Sequence, residues 1–177
     1  MDALLAQHGL AARAFLHVHP TSRWLFKAWT DEANAELLAR LAADGHRLVV
    51  TGAPNAREQA IVKRILERAQ APVVDLSGAL TLREMGALAA RARLFFGVDS
   101  APMHIAAAMG TPVVALFGPS GEREWGPWMV PHRVVASDHS CRPCGNDGCG
   151  GGKLSECLTS LPGARVHAAV NELLAQP

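Results

Sequence analysis

The residues best suited to chemistry lie in Gly97-Val98-Asp99-Ser100-Ala101-Pro102-Met103-His104. A carboxylate and a hydroxyl precede a proline whose fixed φ suits the first turn of a helix. The unpaired N–H groups of such a turn form an anion site suited to a phosphate or diphosphate. A plain Asx or Ser helix cap accounts for Asp99 and Ser100 equally well, and a core-bonded histidine accounts for His104. A second segment, Pro20-Thr21-Ser22-Arg23-Trp24-Leu25-Phe26-Lys27-Ala28-Trp29, offers two hydroxyls, a guanidinium and an ammonium. Lys27 is one of 3 lysines beside 14 arginines. It suits a point-charge phosphate clamp, or a solvated position on a loop anchored by Trp24, Phe26 and Trp29. In Gly52-Ala53-Pro54-Asn55-Ala56-Arg57-Glu58, the acid either accepts from ribose hydroxyls or faces a helix dipole. No G-x-G-x-x-G follows a strand and no G-x-x-x-x-G-K-[ST] occurs, so dinucleotide and Walker-type phosphate binding have no local support.

The four cysteines follow the spacing Cys141-x2-Cys144-x4-Cys149-x7-Cys157. The first pair has the spacing of a metal knuckle; the second half does not. A structural zinc, four reduced thiols and disulfides all remain open, the last disfavoured in a reducing cytosol. The segment is rich in glycine and almost free of apolar residues, so it cannot hold its shape by packing. A metal, a disulfide or a partner domain is then expected to order it. No histidine stands at motif spacing to activate a catalytic thiol.

These segments need rigid elements to position them. Phe15–His19, Arg47–Thr51, Val73–Leu76, Leu94–Val98 and Thr111–Phe117 read as strands, with Arg133–Val135 a sixth. Thr30 caps a helix carrying Leu37, Leu38 and Leu41. Ile61, Ile65 and Leu66 mark another, and Thr81 with Glu84 forms a capping box. Pro102–Met109 and Val166–Ala175 complete the helices. Strands apolar on both faces alternating with helices imply an α/β, doubly wound, mostly parallel, Rossmann-like sheet. Ligands of such sheets bind at the carboxyl ends of the strands. The loop Gly118–Trp128 leaves one such end, and its length marks it as functional or mobile.

The composition sets bounds. Seventeen basic against sixteen acidic residues argue against non-specific nucleic-acid binding. No run of 18 apolar residues suggests a membrane span, and the N-terminus lacks a signal-peptide pattern, so a cytoplasmic location is expected. The length fits one domain, here taken as residues 1–177.

Gly97-Val98-Asp99-Ser100-Ala101-Pro102-Met103-His104-Ile105-Ala106-Ala107-Ala108, followed by Phe117-Gly118-Pro119, resembles the D-[ST]-G-x-x-H-x-A-A-A and F-G-P-[ST] pattern of ADP-heptose lipopolysaccharide heptosyltransferases. Lys27-Ala28-Trp29 resembles the family's K-x-W, and the branch that adds the third core heptose is the most similar. The resemblance implies the C-terminal, donor-binding half of a glycosyltransferase-B fold. The acceptor half, with the catalytic base, lies outside this chain. It further implies ADP-heptose as donor, a lipopolysaccharide core acceptor, an inverting reaction without a catalytic metal, and peripheral inner-membrane contact only through the other half. By this resemblance Lys27, with Ser22 or Thr21, holds phosphate, and Leu80 lies beside adenine. Asp99, Ser100 and Ala101 meet diphosphate and sugar, with His104 nearby. Glu58 is the candidate ribose acid, although it does not align cleanly. Ala101 departs from the usual glycine. Two rival functions are a nucleotide-sugar epimerase domain and a non-catalytic nucleotide-binding module.

Overall fold

Strands β1 (Phe15–His19), β4 (Leu94–Val98) and β5 (Val113–Phe117) are buried along their whole length. Burial on both faces explains why their sequences are almost continuously apolar. The computed structural model describes residues 1–176. Together with β2 (Arg47–Val50), β3 (Val73–Asp75) and β6 (His132–Ala136), these strands form one six-stranded sheet in the order β3-β2-β1-β4-β5-β6. All pairings are parallel. The chain winds outward from β1 to β3, returns to the other side of β1 with β4, and winds outward again. The switch point lies between β1 and β4, where a crevice opens beyond the strand ends. The architecture is therefore the doubly wound α/β sheet expected from the alternating periodicities.

Helices cover both faces. Helices α2 (Asp31–Ala43), α3 (Ala56–Ala69) and α8 (Gly163–Leu174) bury Leu38, Ile65 and Val170 against Leu16, Val18, Val50 and Phe96. The opposite face carries α1 (Asp2–Gln7), α4 (Leu82–Ala89) and α5 (Ala101–Ala108). Their buried side chains include Leu5, Leu88 and Met103, and they pack with Phe15, Val49, Phe95 and Phe117. Successive strand residues alternate between these layers, as the pleat requires. Short helices α6 (Glu122–Trp125) and α7 (Glu156–Thr159) interrupt the late loops. Helix α1 carries no cap or long stripe, and the sequence reading contains no helix there.

The expected caps form. The Thr30 side chain accepts from the Ala33 N–H, and Thr81 and Glu84 bond reciprocally as a capping box. Ser100 behaves differently. Its hydroxyl donates back to the Val98 carbonyl at 3.2 Å and does not cap α5. The first turn of α5 is therefore left without a side-chain cap.

Candidate functional site

The segments that follow β1, β2, β3 and β4 converge on one cleft of about 570 Å3, within the size range of small-molecule sites. The segment after β1 contributes Thr21, Ser22 and Lys27, and that after β2 contributes Gly52 and Pro54. The start of α3 adds Glu58, the turn before α4 adds Leu80, and the β4–α5 turn adds Asp99, Ser100, Ala101 and His104. All nine residues expected at the donor site thus line the same cleft.

The post-β1 loop is held from below. Trp29 Nε1–H donates to the Leu161 carbonyl at 3.2 Å, and Ser155 Oγ donates to the Phe26 carbonyl at 2.7 Å. Phe26 and Trp29 are buried, whereas Trp24 is half exposed at the cleft. This anchorage delivers Lys27, whose Nζ meets Asp99 Oδ2 at 2.6 Å. Lys27 is thus a partly buried partner of a buried carboxylate and not a solvated loop residue. Its ammonium has three donors, so one ion pair leaves donors for an anion.

Close approach of β1 and β4 brings the two charges together. His19 lies in register with Gly97. A Cβ on Gly97 would come within 2.8 Å of the Phe95 ring and 3.0 Å of the His19 carbonyl oxygen, so only glycine fits there.

Glu58 sits in the first turn of α3, but it is buried and turned into the strand ends. It accepts from Thr21 Oγ1–H at 2.7 Å, Asn55 Nδ2–H at 3.0 Å and the Ala53 N–H at 3.4 Å. Burial pushes its carboxyl up, but the bonds from Thr21, Asn55 and Ala53 and the neighbouring His19 outweigh that, so it titrates below the usual range. It is not a solvent-facing partner of the helix dipole. The Thr21 hydroxyl, expected to hold phosphate, is committed to this carboxylate.

Sequence reasoning missed His17, His19 and Thr51. His17 Nε2 lies 2.8 Å from Thr51 Oγ1, and His19 Nδ1 lies 2.9 Å from the same oxygen. Burial lowers His17 to about 3 and His19 to about 4, so both rings are neutral at pH 7. The available signal was two histidines at period 2 on a strand ending at the ligand edge.

The cysteine loop is ordered by a residue that the sequence reading passed over. Arg142 Nε–H donates to the Gly118 carbonyl at 2.7 Å, its second nitrogen to the Ser137 carbonyl at 3.2 Å, and its third to Glu122 at 3.1 Å. The Gly145 N–H also bonds the Pro119 carbonyl. Cys141, Cys144 and Cys149 are exposed free thiols, and Cys157 is a buried one. Among the described residues no group of three or more His, Cys, Asp or Glu side chains could hold a metal ion. The four cysteines are not joined in disulfides, and bonds from Arg142 to two backbone carbonyls and to Glu122 hold the loop that a metal, a disulfide or a partner domain had been expected to order.

A doubly wound sheet opens at its switch point into a partly apolar cleft, in which Arg23 and Lys27 are balanced by Glu58 and Asp99, and ligands of such sheets bind at this point. Residues 2–154 match glycosyltransferase family 9 (heptosyltransferase), and the chain belongs to that family. It is 36% identical over 171 residues to lipopolysaccharide heptosyltransferase 3 of Escherichia coli, covering 94% of this chain and 49% of that protein. Among solved structures, E. coli ADP-heptose lipopolysaccharide heptosyltransferase II superposes with a TM-score of 0.77 at 25% identity, over 98% of this chain and 50% of that one. An E. coli heptosyltransferase solved with ADP, WaaC, superposes at 0.73 and 21% identity, over 92% and 45% of the two chains, and shares the fold. The chain spans about half the length of the relatives it matches. No helix among the described residues is long and apolar enough to cross a membrane.

Proposed function

We propose that residues 1–177 form the nucleotide-sugar donor domain, the C-terminal half, of an inverting heptosyltransferase that takes ADP-heptose and acts on the lipopolysaccharide inner core. The observation that carries this reading is the Lys27–Asp99 pair at the uncapped first turn of α5, inside a cleft of nucleotide size. An ammonium beside free helix N–H groups favours a diphosphate there. The carboxylate of Asp99 can accept from sugar hydroxyls while Lys27 keeps its charge compensated. Leu80 and Met85 offer an apolar wall for adenine, and Glu58 an acceptor for ribose hydroxyls.

In the reaction, an acceptor hydroxyl forms a new C–O bond at the anomeric carbon as the bond to the diphosphate oxygen breaks. The hydroxyl proton passes to a base, which belongs to the half of the enzyme outside this chain. Negative charge grows on the departing ADP, and Lys27 with the α5 turn stabilises it. A soluble cytoplasmic enzyme working at the inner-membrane face is consistent with this acceptor.

Calorimetric titration of the 177-residue chain with ADP, UDP and GDP tests the reading. ADP is expected to bind at micromolar to millimolar dissociation constants, because half the cleft is missing, and more tightly than the other two. Equal or absent heats for all three refute it.

A further inference from the structure

Five buried polar side chains run in line from the sheet core to the cleft: His17, Thr51, His19, Thr21 and Glu58. Their bonding directions follow from the chemistry at one end. An ionised carboxylate only accepts, so Thr21 must donate its hydroxyl proton to Glu58 Oε2 at 2.7 Å. The Thr21 oxygen is then an acceptor for His19 Nε2, 3.4 Å away, which places the His19 proton on Nε2. His19 Nδ1 is left with a lone pair and accepts from the Thr51 hydroxyl at 2.9 Å. Thr51 Oγ1 in turn accepts from His17 Nε2–H at 2.8 Å. One tautomer assignment thus satisfies every link.

That assignment leaves a bare lone pair on His17 Nδ1. Among the described residues, this atom is the buried side-chain nitrogen or oxygen without a hydrogen-bond partner. An orphan lone pair is what a chain of this direction must have at its inner end. The Phe95 ring meets the His17 ring edge-on, with centroids 5.0 Å apart, and Gly97 leaves room for it.

We infer that His19 is a positioning residue for ribose recognition: through Thr21 it fixes the hydroxyl that orients the Glu58 carboxylate toward the nucleotide. The inference rests on the ADP-donor reading above. Glu58 takes three bonds from the protein, one at Oε1 and two at Oε2. A carboxylate has about four acceptor sites, so about one remains to face the cleft. Without a donor at His19 Nε2, the Thr21 hydroxyl is free to rotate away from Glu58, and the free lone pair loses its direction.

Two substitutions separate this role from bulk packing. His19→Gln places an amide N–H near the position of Nε2, and His19→Asn places its polar atoms near Nδ1 and leaves Thr21 without its donor. The readout is the ratio of dissociation constants for 2′,3′-dideoxy-ADP and ADP, measured by calorimetry on this chain. A ratio of about tenfold or more is expected for the unsubstituted protein and, within about twofold, for His19→Gln; His19→Asn is expected to bring it below about threefold. A wild-type ratio retained by His19→Asn overturns the inference. A second readout needs no nucleotide: the Glu58 carboxyl titration followed by NMR should move upward in His19→Asn and stay in place in His19→Gln. If the chain binds no adenine nucleotide, the donor reading fails, and the Glu58 titration still decides the His19–Thr21 link. Should His19→Asn not fold, Thr51→Val against Thr51→Ser makes the same comparison one link further in. A Glu58 titration unmoved by Thr51→Val then overturns the inference.

Discussion

Acidification from pH 7 to pH 5 should weaken this fold far more than exposed histidines would predict. His17 and His19 titrate near 3 and 4 in the folded state, against an ordinary 6.5, because burial penalises their charged forms. The unfolded chain therefore binds more protons than the folded one between pH 6.5 and pH 4. Stability is fully present above 6.5 and is lost as the pH falls through that window. Each ring costs about 1.9 kcal/mol between pH 7 and pH 5, and the two together about 4 kcal/mol. Groups facing them do not cancel this. Glu58 favours the charged form of His19, but its effect is smaller than burial, and its own loss falls below the pH window. His46, also lowered by burial, adds in the same direction. Urea unfolding at a series of pH values measures the effect. With a slope of about 2–3 kcal/mol/M, the midpoint should drop by about 1.5 M between pH 7 and pH 5. His17→Gln keeps a donor toward Thr51 and cannot titrate, so it should roughly halve that drop. A midpoint that moves by less than about 0.3 M, or a His17→Gln protein with the wild-type pH dependence, would refute the assignment of neutral buried rings.

Lys27→Ala should weaken ADP binding by about 1–3 kcal/mol, since it removes a charge-assisted donor and leaves the Asp99 carboxylate facing the diphosphate; unchanged calorimetric affinity would return Lys27 to a merely structural ion pair. Thiol titration of the native chain should find three fast groups, Cys141, Cys144 and Cys149, and one slow group, Cys157, which is buried and whose thiol burial pushes up. Stoichiometric zinc with fewer than four reactive thiols would overturn the arrangement of free cysteines.

Local spacing determined much of this protein. Continuous apolar runs such as Leu94–Val98 read as buried parallel strands, and Thr30 and Thr81–Glu84 read as helix starts, because period and caps act within a few residues. Location at a strand end was enough to collect Thr21, Ser22, Lys27, Asp99 and Ala101 around one cleft. The sequence could not show how these groups pair. Lys27 finds Asp99 across 72 residues, and Thr21 finds Glu58 across 37, only because β1 takes the centre of the order β3-β2-β1-β4-β5-β6. The same register brings His17 and His19 beside Thr51 at the end of β2, so residues that read as strand filler became a polar network. Arg142 reads as one arginine among fourteen until the fold brings the Gly118 and Ser137 carbonyls within its reach. Periodicity records which face a residue occupies, whereas hydrogen-bond partners depend on which strand lies alongside, and that is set by packing across the whole sheet.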